Sequence, residues 1–220
     1  MIILTADGSN TIYSEAFHQT YHSVNGAITE TRHVFLRSGL EQLKASEIIR
    51  IFEFGFGTGL NAIATLEWQK TKSIKINYHT LEAYPISSQL ASQMRIADIF
   101  DESIYRGFMQ MHLSASGKKI ELEKGFEFRK YIEKWENFTI ENFTNYFDLV
   151  YFDAFSPDVQ PELWKPVVFK KIFEMMHQGG ILVTYCAKGE VRRNMKDAGF
   201  IVERIPGPPG KREILRAKKV

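Results

Sequence analysis

The run Glu53-Phe54-Gly55-Phe56-Gly57-Thr58-Gly59 constrains this chain more than any other stretch. It closes Ile48–Phe54, an apolar segment that reads as a buried strand. It opens Leu60–Lys70, where Ala62, Ile63, Ala64 and Leu66 recur at helical spacing. Glycines at a strand-to-helix turn let the backbone come close to a ligand, and the helix N-terminus offers it free N–H groups. The turn can be purely structural, but its position predicts a nucleotide-type cofactor site in an α/β fold. A dinucleotide fingerprint would read G-x-G-x-x-G. Here the pattern is G-x-G-x-G, and position 60 is Leu.

That spacing, with an acid at Glu53 just ahead of the glycines, favours S-adenosylmethionine over a nicotinamide dinucleotide. Strands and helices alternate through the rest of the chain. Further strands are expected at Lys75–Glu82, Lys119–Leu122, Phe147–Asp153, Ile181–Cys186, Phe200–Ile205 and Glu213–Ala217. Helices are expected at Ser87–Ala97, at Lys165–Met176 with a C-cap at Gly179-Gly180, and at Val191–Ala198. Continuous apolar strands alternating with helices predict a doubly wound, mostly parallel sheet. The last two strands are joined by Pro206-Gly207-Pro208-Pro209-Gly210, too short for a parallel crossover, so one strand should run antiparallel. A Rossmann-like, mostly parallel seven-stranded sheet with one antiparallel strand is the plan of class I S-adenosylmethionine-dependent methyltransferases. Residues 48–220 are assigned to that domain. Residues 1–47 form a small N-terminal extension on the substrate side, read as a hairpin turning at Asn25-Gly26 and a helix from Glu30 to Lys44.

Composition narrows the function classes. A net charge of +2 permits nucleic-acid binding without demanding it. One cysteine, Cys186, excludes an internal disulfide framework and suits a reducing cytoplasm. No segment reaches the roughly 18 consecutive apolar residues of a membrane span, and the N-terminus lacks the pattern of a signal peptide. The expected protein is cytoplasmic, with no membrane partner. The histidines show no H-E-x-x-H pairing and a lone cysteine cannot build a zinc site, so no metal is expected.

Two acids mark the ends of strands. Glu82 closes the second strand, where a carboxylate can accept both ribose hydroxyls; a dinucleotide fold places an acid there too. Asp153-Ala154-Phe155-Ser156-Pro157 closes the fourth, at the end that faces the transferable methyl group in this fold. An acid at Asp153 can hydrogen-bond an amine, and Phe155 can wall the pocket. Lys188, Arg192, Lys211 and Arg212 belong to a late basic cluster, read either as solvated surface or as a phosphate-tracking patch. At this level the residues leave open a methyltransferase of small amines or protein side chains, a non-catalytic RNA-binding protein of the same fold, and a nicotinamide-dependent oxidoreductase. The glycine spacing and the Asp153 motif both count against the last.

Several stretches go together beyond a generic methyltransferase. They are Asp7-Gly8-Ser9, Tyr21-His22-Ser23, His33-Val34-Phe35-Leu36, Phe54 through Asn61, Asp153–Pro157 with Pro161-Glu162-Leu163-Trp164, Thr184-Tyr185-Cys186-Ala187-Lys188-Gly189, and Lys211-Arg212-Glu213. Over nearly its whole length the chain resembles the methyltransferase module of the bacterial enzymes that finish 5-methylaminomethyl-(2-thio)uridine at the tRNA wobble position. Some of these carry a fused FAD-dependent oxidoreductase domain; this sequence looks like the stand-alone form, acting after a separate oxidoreductase or aminomethyl-forming complex. The resemblance implies methyl transfer to the primary amine of 5-aminomethyluridine. It places Gly55, Phe56, Gly57, Thr58, Gly59 and Asn61 around the cofactor with Glu53, Glu82 at the ribose, and Asp153 near both sulfonium and amine. Where the family often has Gly-Asp near the adenine, this chain reads Gly125-Phe126-Glu127. An alkyl amine of pKa about 10.4 costs roughly 4.6 kcal/mol to neutralise at pH 7, and an ordinary Asp of about 3.9 is too weak a base for that. Asp153 is therefore expected to align the amine, with the proton lost to water or relayed by Tyr21 or His22.

Overall fold

The computed structural model describes residues 1–220. An antiparallel sheet comes first, from β1 (Ile2–Leu4), β2 (Asn10–Ser14) and β3 (Gln19–Thr20). A helical stretch follows: α1 (Ala27–Thr31), one π-helical segment at Arg32–Arg37, and a 3-10 turn at Leu40–Gln42. Asn25-Gly26 is not a hairpin turn. The two hairpins turn at residues 5–9 and 15–18, whereas Gly26, at φ 136°, leads into α1. The single helix expected over Glu30–Lys44 is broken into these three pieces.

The central sheet contains β4 (Ile48–Phe54), β5 (Lys75–Glu82), β6 (Lys119–Glu123), β7 (Phe126–Ile132), β8 (Phe147–Phe152), β9 (Met176–Thr184), β10 (Ile201–Pro206) and β11 (Glu213–Lys218). Its order is β10-β11-β9-β8-β4-β5-β7-β6. The expected seven strands are thus eight, because a tight turn at Lys124-Gly125 folds β7 back onto β6 as an extra antiparallel hairpin. At the other edge β11 runs antiparallel to both β9 and β10, as the short Gly/Pro connection requires.

Central strands are apolar on both faces because both are covered. Ile49 and Ile51 of β4 face one apolar cluster, and Phe52 and Phe54 face the other. On the first side lie α2 (Leu60–Lys70), α3 (Ser88–Ser92) and α4 (Glu102–Leu113). The second side carries α5 (Pro166–Met175) and α6 (Gly189–Asp197). The expected C-cap at Gly179-Gly180 is absent: α5 ends at Met175 and the chain enters β9 directly, where the backbone of both glycines pairs with Lys219. Ile12, Ala27, Ile28, Val34 and Phe35 pack in the same cluster as Ile51 and Leu149, so the N-terminal segment shares the core of the sheet.

Candidate active site

The C-terminal ends of β4, β5 and β8 are laced together beneath the glycine turn, with Gly55 N–H donating to Leu81 and Asp153 N–H to Phe54. Gly55, Gly57 and Gly59 adopt φ of 91°, 52° and 79°, which favour glycine. Space demands it as well. A Cβ on Gly55 would sit 2.7 Å from the Asp153 carbonyl oxygen, and one on Gly57 2.9 Å from the Tyr21 ring. The bare backbone turn therefore forms one wall of a cleft of about 460 Å³, within the range of small-molecule sites.

Glu82 sits at the exit of β5, and its two carboxylate oxygens accept from Gly57 N–H and Tyr84 N–H, each at 2.7 Å. Burial raises its pKa, and those two backbone donors act against the rise. Each oxygen keeps a further lone pair for a ligand hydroxyl. Exposed backbone at the turn and a fixed carboxylate one strand away suit the methionine and ribose parts of S-adenosylmethionine. Glu133 and Trp135, just past β7, line the neighbouring wall. Gly125-Phe126-Glu127 lie instead at the start of β7, remote from the strand ends that build the cleft.

Asp153 forms the floor, with its Oδ2 accepting from Asn61 Nδ2 at 2.8 Å. Burial, followed by the nearby Glu30 carboxylate, pushes its pKa up to about 7; Asn61 and Lys211 oppose the shift. The N-terminal segment covers the mouth. Gln19 exchanges hydrogen bonds with Ser156, and Phe155 packs against Phe17 and Tyr21 at ring separations of 4.4 and 5.0 Å. His22 Nε2 meets Thr58 Oγ1 at 2.7 Å, and burial lowers its pKa to about 4. The Tyr21 hydroxyl is pushed to about 12 by burial and by Glu82. At neutral pH both rings are uncharged.

The cleft brings together Tyr21, His22, Gly55, Phe56, Gly57, Glu82, Asp153, Phe155 and Lys211. Thr58, Gly59 and Asn61 lie behind its wall and support it. Glu53 is fully buried; neither carboxylate oxygen has a hydrogen-bond partner, and burial raises its pKa far above the usual range. It lies beneath the turn, where burial favours its protonated form. Lys188 pairs with Asp158 at 2.5 Å, and Arg192 on α6 and Arg212 lie outside the cleft. Two residues that reach the site had been given no role by the sequence. Glu30, 7% exposed, binds Lys211 Nζ at 2.5 Å and Ser23 N–H at 2.9 Å. Tyr185 donates to the Ala154 carbonyl at 2.9 Å and presents its ring to Lys211 Nζ at 4.2 Å. The signal for Tyr185 was its place just beyond a strand end; Glu30 carried none, being an ordinary acid in a helical segment.

Residues 102–220 match the family described as S-adenosyl-L-methionine-dependent methyltransferase. The chain belongs to that family. This methyltransferase is similar along its length to proteins named tRNA 5-methylaminomethyl-2-thiouridine biosynthesis bifunctional protein MnmC. Identity is 26% with that of Actinobacillus pleuropneumoniae serotype 5b, over 98% of this chain and 35% of the relative. It is 30% with that of Cupriavidus metallidurans, over 98% of this chain and 33% of the relative. The chain thus spans about a third of the length of these relatives. Among solved structures, MNMC2 from Aquifex aeolicus superposes with a TM-score of 0.79 at 27% identity, covering 99% of this chain and 69% of that one. Spermidine synthase from Thermotoga maritima shares the fold, with a TM-score of 0.55 at 12% identity, over 96% of this chain and 68% of that one. No helix of the methyltransferase is long and apolar enough to cross a membrane.

Proposed function

We propose that this methyltransferase acts on tRNA, methylating the aminomethyl nitrogen of 5-aminomethyl-(2-thio)uridine at the wobble position. The observation that carries the reading is Asp153: a carboxyl group held by Asn61 at the floor of the cofactor cleft, beneath the aromatic cluster of Phe17, Tyr21 and Phe155. The likeness to MnmC proteins over 98% of the chain supports a tRNA substrate. The aminomethyl group is then the product of another activity, an FAD-dependent oxidoreductase or an aminomethyl-forming complex, and the setting is the cytoplasm.

S-adenosylmethionine, when bound, supplies an electrophilic methyl group on a sulfonium. The chain's part is to orient the amine and to remove its proton. An amine of pKa about 10.4 is cationic at pH 7 and has no free lone pair. With a pKa near 7, Asp153 is a better proton acceptor than an ordinary carboxylate. It also outranks His22 at about 4, and Tyr21 at about 12 is already protonated and cannot accept another proton. Asp153 therefore aligns the amine and receives its proton, a larger role than alignment alone. The remaining advantage is proximity within the cleft. The test is mass spectrometry of tRNA nucleosides from a strain lacking the gene. The expected result is accumulated 5-aminomethyluridine, cleared by the purified protein with S-adenosylmethionine; an unchanged nucleoside profile overturns the reading.

A further inference from the structure

A buried carboxylate is costly unless it is paired, and residues like Glu30 are seldom inside proteins. Glu30 is 7% exposed, yet it stands on the wall of the cofactor cleft and is paired there with a lysine ammonium. That ammonium also faces the Tyr185 ring at 4.2 Å. Asp153 is close enough for the Glu30 charge to raise its pKa. A carboxylate and an aromatic face around one alkylammonium, with a second carboxyl group within electrostatic range, make a binding site for a primary amine. Lys211 shows that the site accepts one.

We infer that Glu30 is the seat of the acceptor's ammonium group, with the Tyr185 ring as its second wall, and that Lys211 holds that seat until the acceptor arrives. The exchange replaces one ammonium by another, so it buries no additional net charge. The four-carbon stem of Lys211 carries its head into solvent without any backbone change. Once on Glu30, the amine is within electrostatic range of Asp153, the group proposed above to take its proton. Glu30 selects amines over neutral acceptors, and Lys211 is a competitor for the site, not a contact for phosphate. This inference deepens the function proposed above and rests on its amine acceptor.

The probes are benzylamine and benzyl alcohol, planar rings bearing an aminomethyl group or its neutral counterpart. Their binding to the protein saturated with S-adenosylhomocysteine is measured by calorimetry. The wild-type protein should prefer benzylamine by about tenfold or more, as expected of a charged hydrogen bond. Glu30→Gln should abolish that preference while leaving S-adenosylhomocysteine affinity unchanged, and Lys211→Met should tighten benzylamine binding. Three results overturn the inference: no amine preference in the wild-type protein, a preference that survives Glu30→Gln, or equal loss in Lys211→Met, which would make Glu30 only the holder of Lys211. The two readings fail separately. Amine preference lost in Glu30→Gln, alongside unmodified tRNA, would leave this inference standing and sink the wobble-uridine substrate. Methylated tRNA without amine preference would do the reverse.

Discussion

Asp153 has its pKa near 7 because it is buried and because Glu30 is near; Asn61 and Lys211 pull the other way. Its carboxylate is the working form, so kcat/KM should climb with pH along a limb centred near 7 and level off above it. Glu30→Gln removes a charge that raises Asp153, so the limb should move to lower pH; a limb that stays in place would deny the coupling. Asp153→Ala should cut kcat by about 10²- to 10⁴-fold with far less change in S-adenosylmethionine affinity, and equal losses in both would remove its role in the reaction. At Gly55 the backbone is the constraint. Ala there combines a φ of 91° with a Cβ 2.7 Å from the Asp153 carbonyl. Gly55→Ala should cost about 1–3 kcal/mol of stability in urea unfolding. The glycines, Glu82 and Asp153 were legible from sequence because their chemistry is tied to strand ends. Glu30 was not, since only the folded chain brings it against a lysine 181 residues away.

Among the elements, β4, α2, β5 and β8 follow directly from apolar runs and glycine punctuation. The hairpin of β6 and β7 does not: the apolar pattern yields one strand at Lys119–Leu122 with Gly125-Phe126-Glu127 beyond it, although Gly125 is the turn between two strands. The clue was alternation, since Phe126, Phe128 and Lys130 are buried and the residues between them are less so. Helix α4 also went unread despite Asp101, whose side chain caps it by accepting from Ile104 N–H, and despite the spacing of Ile104, Phe108 and Met111. Lys130 ties these two overlooked elements together. Its Nζ donates to the Met111 and His112 carbonyls at the end of α4, at 2.8 and 2.9 Å, and lies over the Phe56 ring. Lys130→Met would leave those helix-end carbonyls unpaired, and should lower stability by about 1–3 kcal/mol in denaturant titration. A loss near zero would mean that water satisfies them.

At the scale of the whole molecule, the net charge is only +2, and several late basic side chains are already engaged: Lys188 with Asp158, Arg204 with Glu213, Arg216 with Glu203. Arg192, Arg193, Lys196, Arg212 and Lys218 stay at the surface for phosphates, so the salt dependence of tRNA binding should be moderate, equivalent to at most about five counterions released. A slope near that of a strongly basic RNA-binding protein would indicate a surface other than this one. The N-terminal segment meets the loop between β10 and β11 through Glu30 with Lys211 and through His33 with the Pro206 carbonyl. That meeting sets an order on biosynthesis. While the ribosome still holds the last hairpin, Glu30 of the emerging polypeptide has the Ser23 N–H within reach but not yet the Lys211 ammonium. The acceptor side of the cleft is therefore completed last, and a nascent chain stalled short of residue 211 lacks the ammonium that pairs with Glu30.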